Sequence, residues 1–408
     1  MNKELIKSLA HFHLADSKQK AIRTKLESVK FQNFKIQKYT NEFWTSKQRQ
    51  ANALHEISYR ACYKPQLPRF FIERLTQKGD RVYDPFSGRG TTVIEAGLLE
   101  RQIIGNDVNP LSKILTKPRF MVPDLDELAC YLDTIGMNEV ETAELDLSMF
   151  FHPKTESELI SLKNYILKRE SQNTLNHFDH WIRMVASNRL TGHSKGFFSV
   201  YTLPPNQAVS ASRQIQLNEK QKQKPEYRDV KKLILKKSKS LMKDLTFSQR
   251  QSLRKAGETA IFLTRDARET KQIKDTSIHL TVTSPPFLDI VQYASDNWLR
   301  CWFNGIDEKS VKISMAKTVE QWSEIMFDVL KELYRITVKG GYVAFEVGEI
   351  KNGKIKLDEI VVPLGVRAGF DIECIVINEQ NFTKTSNIWG VKNNTKGTNS
   401  NRIVIFKK

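Results

Sequence analysis

The segment DRVYDPFSGRGTTVIEAGLLERQIIGNDVN, residues 80–109, constrains this chain most. It reads as an apolar strand, a turn with two glycines, a helix and a second apolar strand. Strands joined through a helix run parallel with a right-handed crossover, so the sheet must carry helices on its faces. The same texture precedes it in LPRFFIERLT, a helix. It returns in the strand HLTVTSPPF (279–287), the helix VEQWSEIMFDVLKELYRIT, and the strands GGYVAFEVG, ECIVINE and RIVIFKK. Residues 120–255 break the alternation with long helical stretches and a polar, irregular middle. The expected organisation is an N-terminal arm (1–50), a first α/β half (51–119), an inserted, mainly helical region (120–255) and a second α/β half (256–408). Scattered aromatics in 1–50 suggest an arm or helices docked on the later core.

Charge is unevenly spread. Lys and Arg exceed Asp and Glu by 64 to 46, a net +18, and residues 211–255 hold fourteen Lys/Arg against four Asp/Glu. A basic face of that density favours a polyanion, nucleic acid or anionic membrane. There is neither an N-terminal signal-like apolar core nor an uninterrupted apolar run of membrane-spanning length, so a soluble, cytoplasmic protein without a membrane partner is expected. The four cysteines, Cys62, Cys130, Cys301 and Cys374, form no CxxC pair, and His177 and His180 lack nearby third and fourth ligands; no metal is expected.

Two constellations carry chemistry. In Asp84-Pro85-Phe86-Ser87-Gly88-Arg89-Gly90-Thr91-Thr92 the glycines allow a sharp turn and close approach of a ligand. Asp107, at the end of the next strand, is placed to accept hydrogen bonds from both ribose hydroxyls of a nucleoside. No Gly-Lys-Ser/Thr follows, which excludes a P-loop, and Val93 stands where a GxGxxG fingerprint needs its third glycine. In Thr283-Ser284-Pro285-Pro286-Phe287 a strand runs into a rigid double proline that holds a hydroxyl, a carbonyl and an aromatic ring at the sheet edge. A hydroxyl and a carbonyl accepting the hydrogens of an exocyclic base amine would localise its lone pair, and the ring could stack the extracted base.

These residues resemble the amino-methylating DNA methyltransferases, which act on cytosine N4 or adenine N6. The resemblance implies a Rossmann-like, S-adenosylmethionine-dependent methyltransferase sheet with helices on both faces, here interrupted by the basic insertion. S-adenosyl-L-methionine would lie on the turn of Phe86, Gly88, Gly90, Thr91 and Thr92, with Val108 beside Asp107. The preceding ISYRACYKPQLPRFFIERL is similar to the family's N-terminal cofactor segment, so Tyr59, Lys64, Pro65 and Gln66 would border the methionine end and Asp84 its amino group. Asp266 and Ala267 in FLTRDAR resemble a third cofactor motif, with Arg265 in place of its glycine, and Asp266 would meet the adenine amine. Ser284, Pro285, Pro286 and Phe287 would be catalytic, and the serine form, TSPPF, is typical of the cytosine-N4 branch. No cysteine follows a proline, against cytosine-C5 chemistry.

The insertion occupies the place of a target-recognition domain, although it falls before the third cofactor motif. Lys231, Lys232, Lys236 and Lys237 would hold phosphates of duplex DNA, and Arg189, His193, Ser194, Asn206 and Gln207 would read base edges. The expected function is site-specific cytosine-N4 methylation in a restriction-modification system with a cognate endonuclease. Adenine-N6 methylation, RNA guanine-N2 methylation and a nucleic-acid binder with a vestigial cofactor site are the alternatives.

Overall fold

In the computed structural model, which describes residues 2–13, 23–31, 34–44, 51–60, 62–137, 144–203, 208–286, 293–311, 316–350, 355–379 and 400–408, the apolar runs assemble into one sheet. The chain opens with α1 (Lys3–Ala10) and a hairpin of β1 (Lys25–Phe31) and β2 (Phe34–Asn41). The first α/β half is α2 (Gln66–Leu75), β3 (Arg81–Asp84), α3 (Thr91–Leu98), β4 (Gln102–Asn106) and α4 (Leu111–Thr116). Six helices come next: α5 (Leu125–Thr134), α6 (Pro153–Ser171), α7 (His177–Arg189), α8 (Ala211–Gln221), α9 (Val230–Met242) and α10 (Phe247–Glu258). The second half comprises β5 (Ile261–Leu263), β6 (Ile278–Thr283), α11 (Tyr293–Phe303), α12 (Val319–Ile336) and β7 (Thr337–Val347). A small ribbon, β8 (Glu349–Ile350) with β9 (Ile355–Lys356), then leads to α13 (Leu357–Arg367), β10 (Asp371–Glu379) and β11 (Ser400–Lys407).

The nine-stranded sheet has the order β1-β2-β10-β11-β7-β6-β3-β4-β5. Strands β5, β4, β3, β6 and β7 are mutually parallel, whereas β11 runs antiparallel to both β7 and β10. Alternate side chains enter opposite layers, as a sheet buried on both faces requires. Val82, Ile103, Leu280 and Val282 join one buried cluster with Phe70, Phe71, Val93 and Ile94 from α2 and α3. Tyr83, Ile104, Val343 and Phe345 join the other, with Trp322, Met326 and Val329 from α12 and Val361 and Val362 from α13.

From β3 the chain winds outward through β4 to β5 and then returns to place β6 on the other side of β3, in register through Val82–Leu280 and Tyr83–Thr281. That reversal opens a crevice at the strands' carboxyl ends, where open α/β sheets bind ligands. It also puts the glycine turn after β3 beside the double proline after β6, far apart though the two are in sequence.

Three expectations about organisation change. Part of the N-terminal arm is built into the sheet, because β2 pairs in parallel with β10 and extends that edge. The inserted helices share the core cluster of α2 and α3 through Leu128, Leu132, Trp181, Ile182, Ile234 and Leu241, so they are an elaboration of one layer. The last of them, α10, packs on α3 and is the crossover between β4 and β5 that the parallel sheet requires. Among the described residues no helix is long and apolar enough to cross a membrane.

Candidate functional site: a cleft at the carboxyl ends of the central strands

The glycine turn is held in the left-handed region at Gly88 (φ +49°) and Gly90 (φ +79°), the latter capping α3. A Cβ on Gly88 would come within 3.3 Å of the Tyr59 ring, and one on Gly90 would overlap Thr116. Arg89, between them, points inward. Its guanidinium donates to the carbonyls of His55 (3.0 Å) and Ile57 (3.1 Å), and more loosely to that of Tyr63 (3.4 Å). Buried Arg119 in turn donates to the carbonyls of Arg89 and Leu54. The motif's arginine thereby straps the segment 55–63 over the turn. With their guanidinium donors met largely by carbonyls, the two cations are kept inside without a carboxylate at each. Burial and neighbouring Arg89 pull the Arg119 pKa down to about 9.

Asp84 lies below the turn and is 1% exposed. Its Oδ1 accepts from Thr283 Oγ1 (2.7 Å) and the Phe86 N–H (3.1 Å), and its Oδ2 from Tyr63 Oη (3.0 Å). Thr92, which also meets Tyr63 Oη, donates to the Val282 carbonyl at 3.0 Å. One carboxylate thus ties the first turn to the end of β6. Burial raises its pKa to about 6, against the opposing pull of Thr283 and the other donors.

Above this network a cleft of about 1090 Å³, counted to its open mouth, is lined by Tyr59, Cys62, Tyr63, Phe86, Gly88, Thr91, Asp107, Val108, Asp266, Ala267, Ser284, Pro286 and Trp322, with Ile325, Met326 and Val329 of α12 as an apolar wall. Asp107 Oδ2 accepts from Gly88 N–H (2.8 Å) and Oδ1 from Asn109 N–H (2.9 Å). Burial raises its pKa to about 6 despite both donors. Each oxygen retains a lone pair for a hydroxyl. Asp266 is held by Arg268, whose Nε and Nη2 approach at 2.9 and 2.6 Å, and this pairing lowers its pKa. At the double-proline turn, the Ser284 side chain is within hydrogen-bonding reach of Glu346, a buried β7 carboxyl that also accepts from Asn401 Nδ2 at 3.0 Å; burial raises the Glu346 pKa.

The structure therefore brings Tyr59, Phe86, Gly88, Thr91, Asp107, Val108, Asp266, Ala267, Ser284 and Pro286 to one cleft. Pro285 is buried behind Ser284, and Gly90 and Thr92 shape the turn from beneath. Phe287 lies outside the described residues. The expected position of Asp84 at the cofactor's amino group is corrected, since Asp84 is absent from the cleft wall and both its oxygens serve the interior. Lys64, Pro65 and Gln66 do not border the cleft either: Pro65 and Gln66 start α2 and face a separate depression with Asn52, Arg69, Glu95 and Asp244, because the chain has already turned away after Tyr63. Cys62 and Tyr63 take their place.

Sequence reasoning missed four residues. Asn106 bridges the motifs, its Nδ2 donating to the carbonyls of Pro85 and Arg265 and its Oδ1 accepting from Arg265 N–H. Glu346 carried a legible signal, an acid amid the apolar run YVAFEV. Arg89 and Trp322 had none.

The nucleic-acid residues divide. Arg189 is 9% exposed, its guanidinium 3.9 Å over the Phe197 ring and hydrogen-bonded to Asn188, so α7 turns it inward. Lys237 packs against Glu56 at 3.6 Å with its side chain 11% exposed, and burial lowers its pKa to about 8. Both correct the expected contacts with DNA. Lys232 and Lys236 are exposed on α9 and Lys231 is half-exposed beside the Asp133 carbonyl. His193 and Ser194 lie in the loop after α7, where the His193 ring is 6.0 Å from that of Phe197. Asn206 and Gln207 fall outside the described residues. Among the described residues no group of three or more His, Cys, Asp or Glu could hold a metal, and His177 stacks on Phe178.

S-adenosylmethionine fits this donor set. Asp107 would take the ribose hydroxyls and Asp266 the adenine amine. Val108, Ala267 and the α12 wall would cover the purine, and the bare backbone at Gly88 would admit the chain. A pH dependence is the consequence, because a carboxylate must be ionised to accept from two hydroxyls. Cofactor affinity is expected to fall as pH drops through about 6, approaching about tenfold per unit below it. Asp107→Asn should weaken binding and flatten that dependence in a calorimetric titration from pH 5 to 8; a slope unchanged in Asp107→Asn would remove Asp107 from the site.

The chain is similar to known proteins. Residues 6–115 match the DNA methylase family of N6 and N4 methyltransferases. The chain is 23% identical over 339 residues to the type II methyltransferase M.BsoBI of Geobacillus stearothermophilus, covering 74% of this chain and 63% of that one. It is 31% identical over 111 residues to the type II methyltransferase M.MvaI of Kocuria varians, 26% of this chain and 21% of that one. It thus spans less than two thirds of the length of these relatives. Among solved structures, TrmN from Thermus thermophilus aligns over 86% of this chain and 50% of its own with 11% identity and a TM-score of 0.32. Over the glycine turn this chain is thus similar to the N6 and N4 DNA methylases, and along most of its length to a type II methyltransferase.

Proposed function

We propose that this protein methylates the N4 amine of cytosine at specific sites in duplex DNA. The observation that carries this reading is the parallel pairing of β3 with β6, which sets the cofactor turn and Ser284-Pro285-Pro286 on one cleft. S-adenosylmethionine supplies a sulfonium-activated methyl group. The chain's part is to extract the base, orient it and manage its protons. An exocyclic amine is a weak nucleophile because its lone pair is delocalised into the ring; Ser284 Oγ and the Pro285 carbonyl, accepting its two hydrogens, favour a pyramidal nitrogen whose lone pair is localised, out of conjugation with the ring. The methylated nitrogen must then shed a proton, and Ser284 Oγ backed by Glu346 offers the first acceptor. Positioning and electrostatics supply most of the acceleration in such a site.

The choice of cytosine rests on Ser284, where an acid or amide would favour adenine N6. Lys231, Lys232 and Lys236 on α9 would grip phosphates, which adds affinity without sequence choice. The two relatives carry the name type II methyltransferase, which supports a place in a restriction-modification system with a cognate endonuclease.

The test is to incubate the purified protein with unmethylated bacterial DNA and S-adenosylmethionine and to analyse the nucleosides by mass spectrometry. N4-methylcytosine is the expected product. N6-methyladenine would keep the activity but reject the branch, and DNA binding with no methylated base would leave a non-catalytic binder.

A further inference from the structure

The catalytic turn poses a mechanical problem. Two consecutive prolines lack the backbone N–H groups with which a loop is ordinarily pinned. The N-terminal side of the turn is anchored, since Thr283 donates to Asp84 and Ser284 reaches Glu346. Its C-terminal side needs a donor from elsewhere in the fold. The indole of Trp322 provides it, donating from Nε1 to the Pro286 carbonyl at 3.0 Å.

Trp322 comes from the first turn of α12, behind the cap formed by Thr318 Oγ1 and the Gln321 N–H. It is 2% exposed and packs in the cluster of Met326, Val329 and Phe345. A rigid ring with its polar edge satisfied suits a positioning role. The same ring lines the cleft beside Ile325 and Met326. One side chain therefore serves as wall of the cofactor site and as anchor of the catalytic turn.

We propose that Trp322 is a positioning residue for methyl transfer, fixing the far end of the Ser284-Pro285-Pro286 turn so that the Ser284 hydroxyl and the Pro285 carbonyl face the base amine together. This role rests on the methyltransferase reading of the cleft. The indole N–H acts on turnover, and the ring face acts on cofactor affinity; the two contributions are separable by substitution.

Trp322→Phe keeps a ring and deletes the donor. It is expected to lower kcat for DNA methylation about tenfold, the worth of one hydrogen bond, with S-adenosylmethionine Kd close to wild type and a modestly lower thermal midpoint. Trp322→Leu, which also removes the aromatic wall, should lower kcat and weaken cofactor binding together. Turnover in Trp322→Phe equal to wild type, or kcat and cofactor affinity falling in parallel in that variant, overturns the inference. A wild type that methylates no DNA overturns the methyltransferase reading and this inference with it, whereas an active wild type beside an unimpaired Trp322→Phe overturns this inference alone. Should Trp322→Phe fail to fold, exchange of the wild-type indole N–H decides: slow exchange is expected, and exchange as fast as a solvent-exposed indole refutes the hydrogen bond.

Discussion

Ser284→Ala is expected to reduce kcat by about 100-fold or more, the usual loss when one group that stabilises a transition state is removed, with S-adenosylmethionine affinity within about twofold of wild type. The hydroxyl stands at the cleft wall, while the turn beneath it is held by groups the substitution spares. Thr283 still donates to Asp84, Trp322 still donates to Pro286, and both prolines keep their φ. The acceptor for the base amine and its contact with Glu346 are lost. Single-turnover methylation of DNA, paired with a cofactor titration, separates the two quantities. Glu346→Gln should give a smaller loss, because an amide oxygen still accepts from Ser284 but no longer takes a proton passed through it. A Ser284→Ala enzyme within a few-fold of wild type, or one that loses cofactor affinity in proportion to turnover, would place the chemistry elsewhere in the cleft.

Gly90→Ala should be the most damaging single methyl addition near the cofactor turn. At φ +79° an alanine carries the left-handed penalty, and its Cβ would be driven into Thr116 from α4. Together these cost about 3 kcal/mol, and the displaced turn should also lose cofactor affinity by about tenfold or more, since a misplaced cradle forfeits its contacts. Thr116→Ala offers a rescue that separates the two penalties. Among the described residues Thr116 Oγ1, which is buried, has no hydrogen-bond partner, so its removal sacrifices none of the bonds seen here. In the double variant the overlaps with Thr116 Cγ2 and Oγ1 disappear, a tight 3.0 Å approach to its Cβ and the backbone penalty stay, and up to roughly half of the lost stability should return. Denaturant melts of the four proteins form the cycle. Stability and cofactor binding unchanged in Gly90→Ala would mean that the turn is not left-handed in solution.

How far the sequence reached depends on the range of each interaction. The strand–glycine–helix–strand unit was legible because its causes are local. Gly90 must adopt positive φ to start α3, the apolar run after it forms a buried helix, and Asp107 comes directly after β4. The double proline after β6 was legible for the same reason. Chain direction and the parallel rule carry those local elements to a doubly covered sheet. Long-range packing was beyond reach. Lys237 sits in a basic run whose other members face solvent, and only the seating of α9 against 53–55 and α7 turns it towards Glu56. Arg189 is inward because of the face α7 presents to Phe197. Lys64, Pro65 and Gln66 share a segment with Cys62 and Tyr63, yet Arg89 fixes where that segment leaves the cleft. The hairpin β1–β2 was unreadable because its partner, β10, lies more than three hundred residues away.

The sequence by itself determined the elements, the two turns and the acids beyond them, since backbone sterics and apolar periodicity act over a few residues. Only the tertiary structure decided that Asp84 braces the interior in place of touching a ligand, that Glu346 stands behind Ser284, and that Trp322 holds Pro286. Each of those contacts joins residues from different strands or helices, and it exists because the order of the sheet brings their ends together.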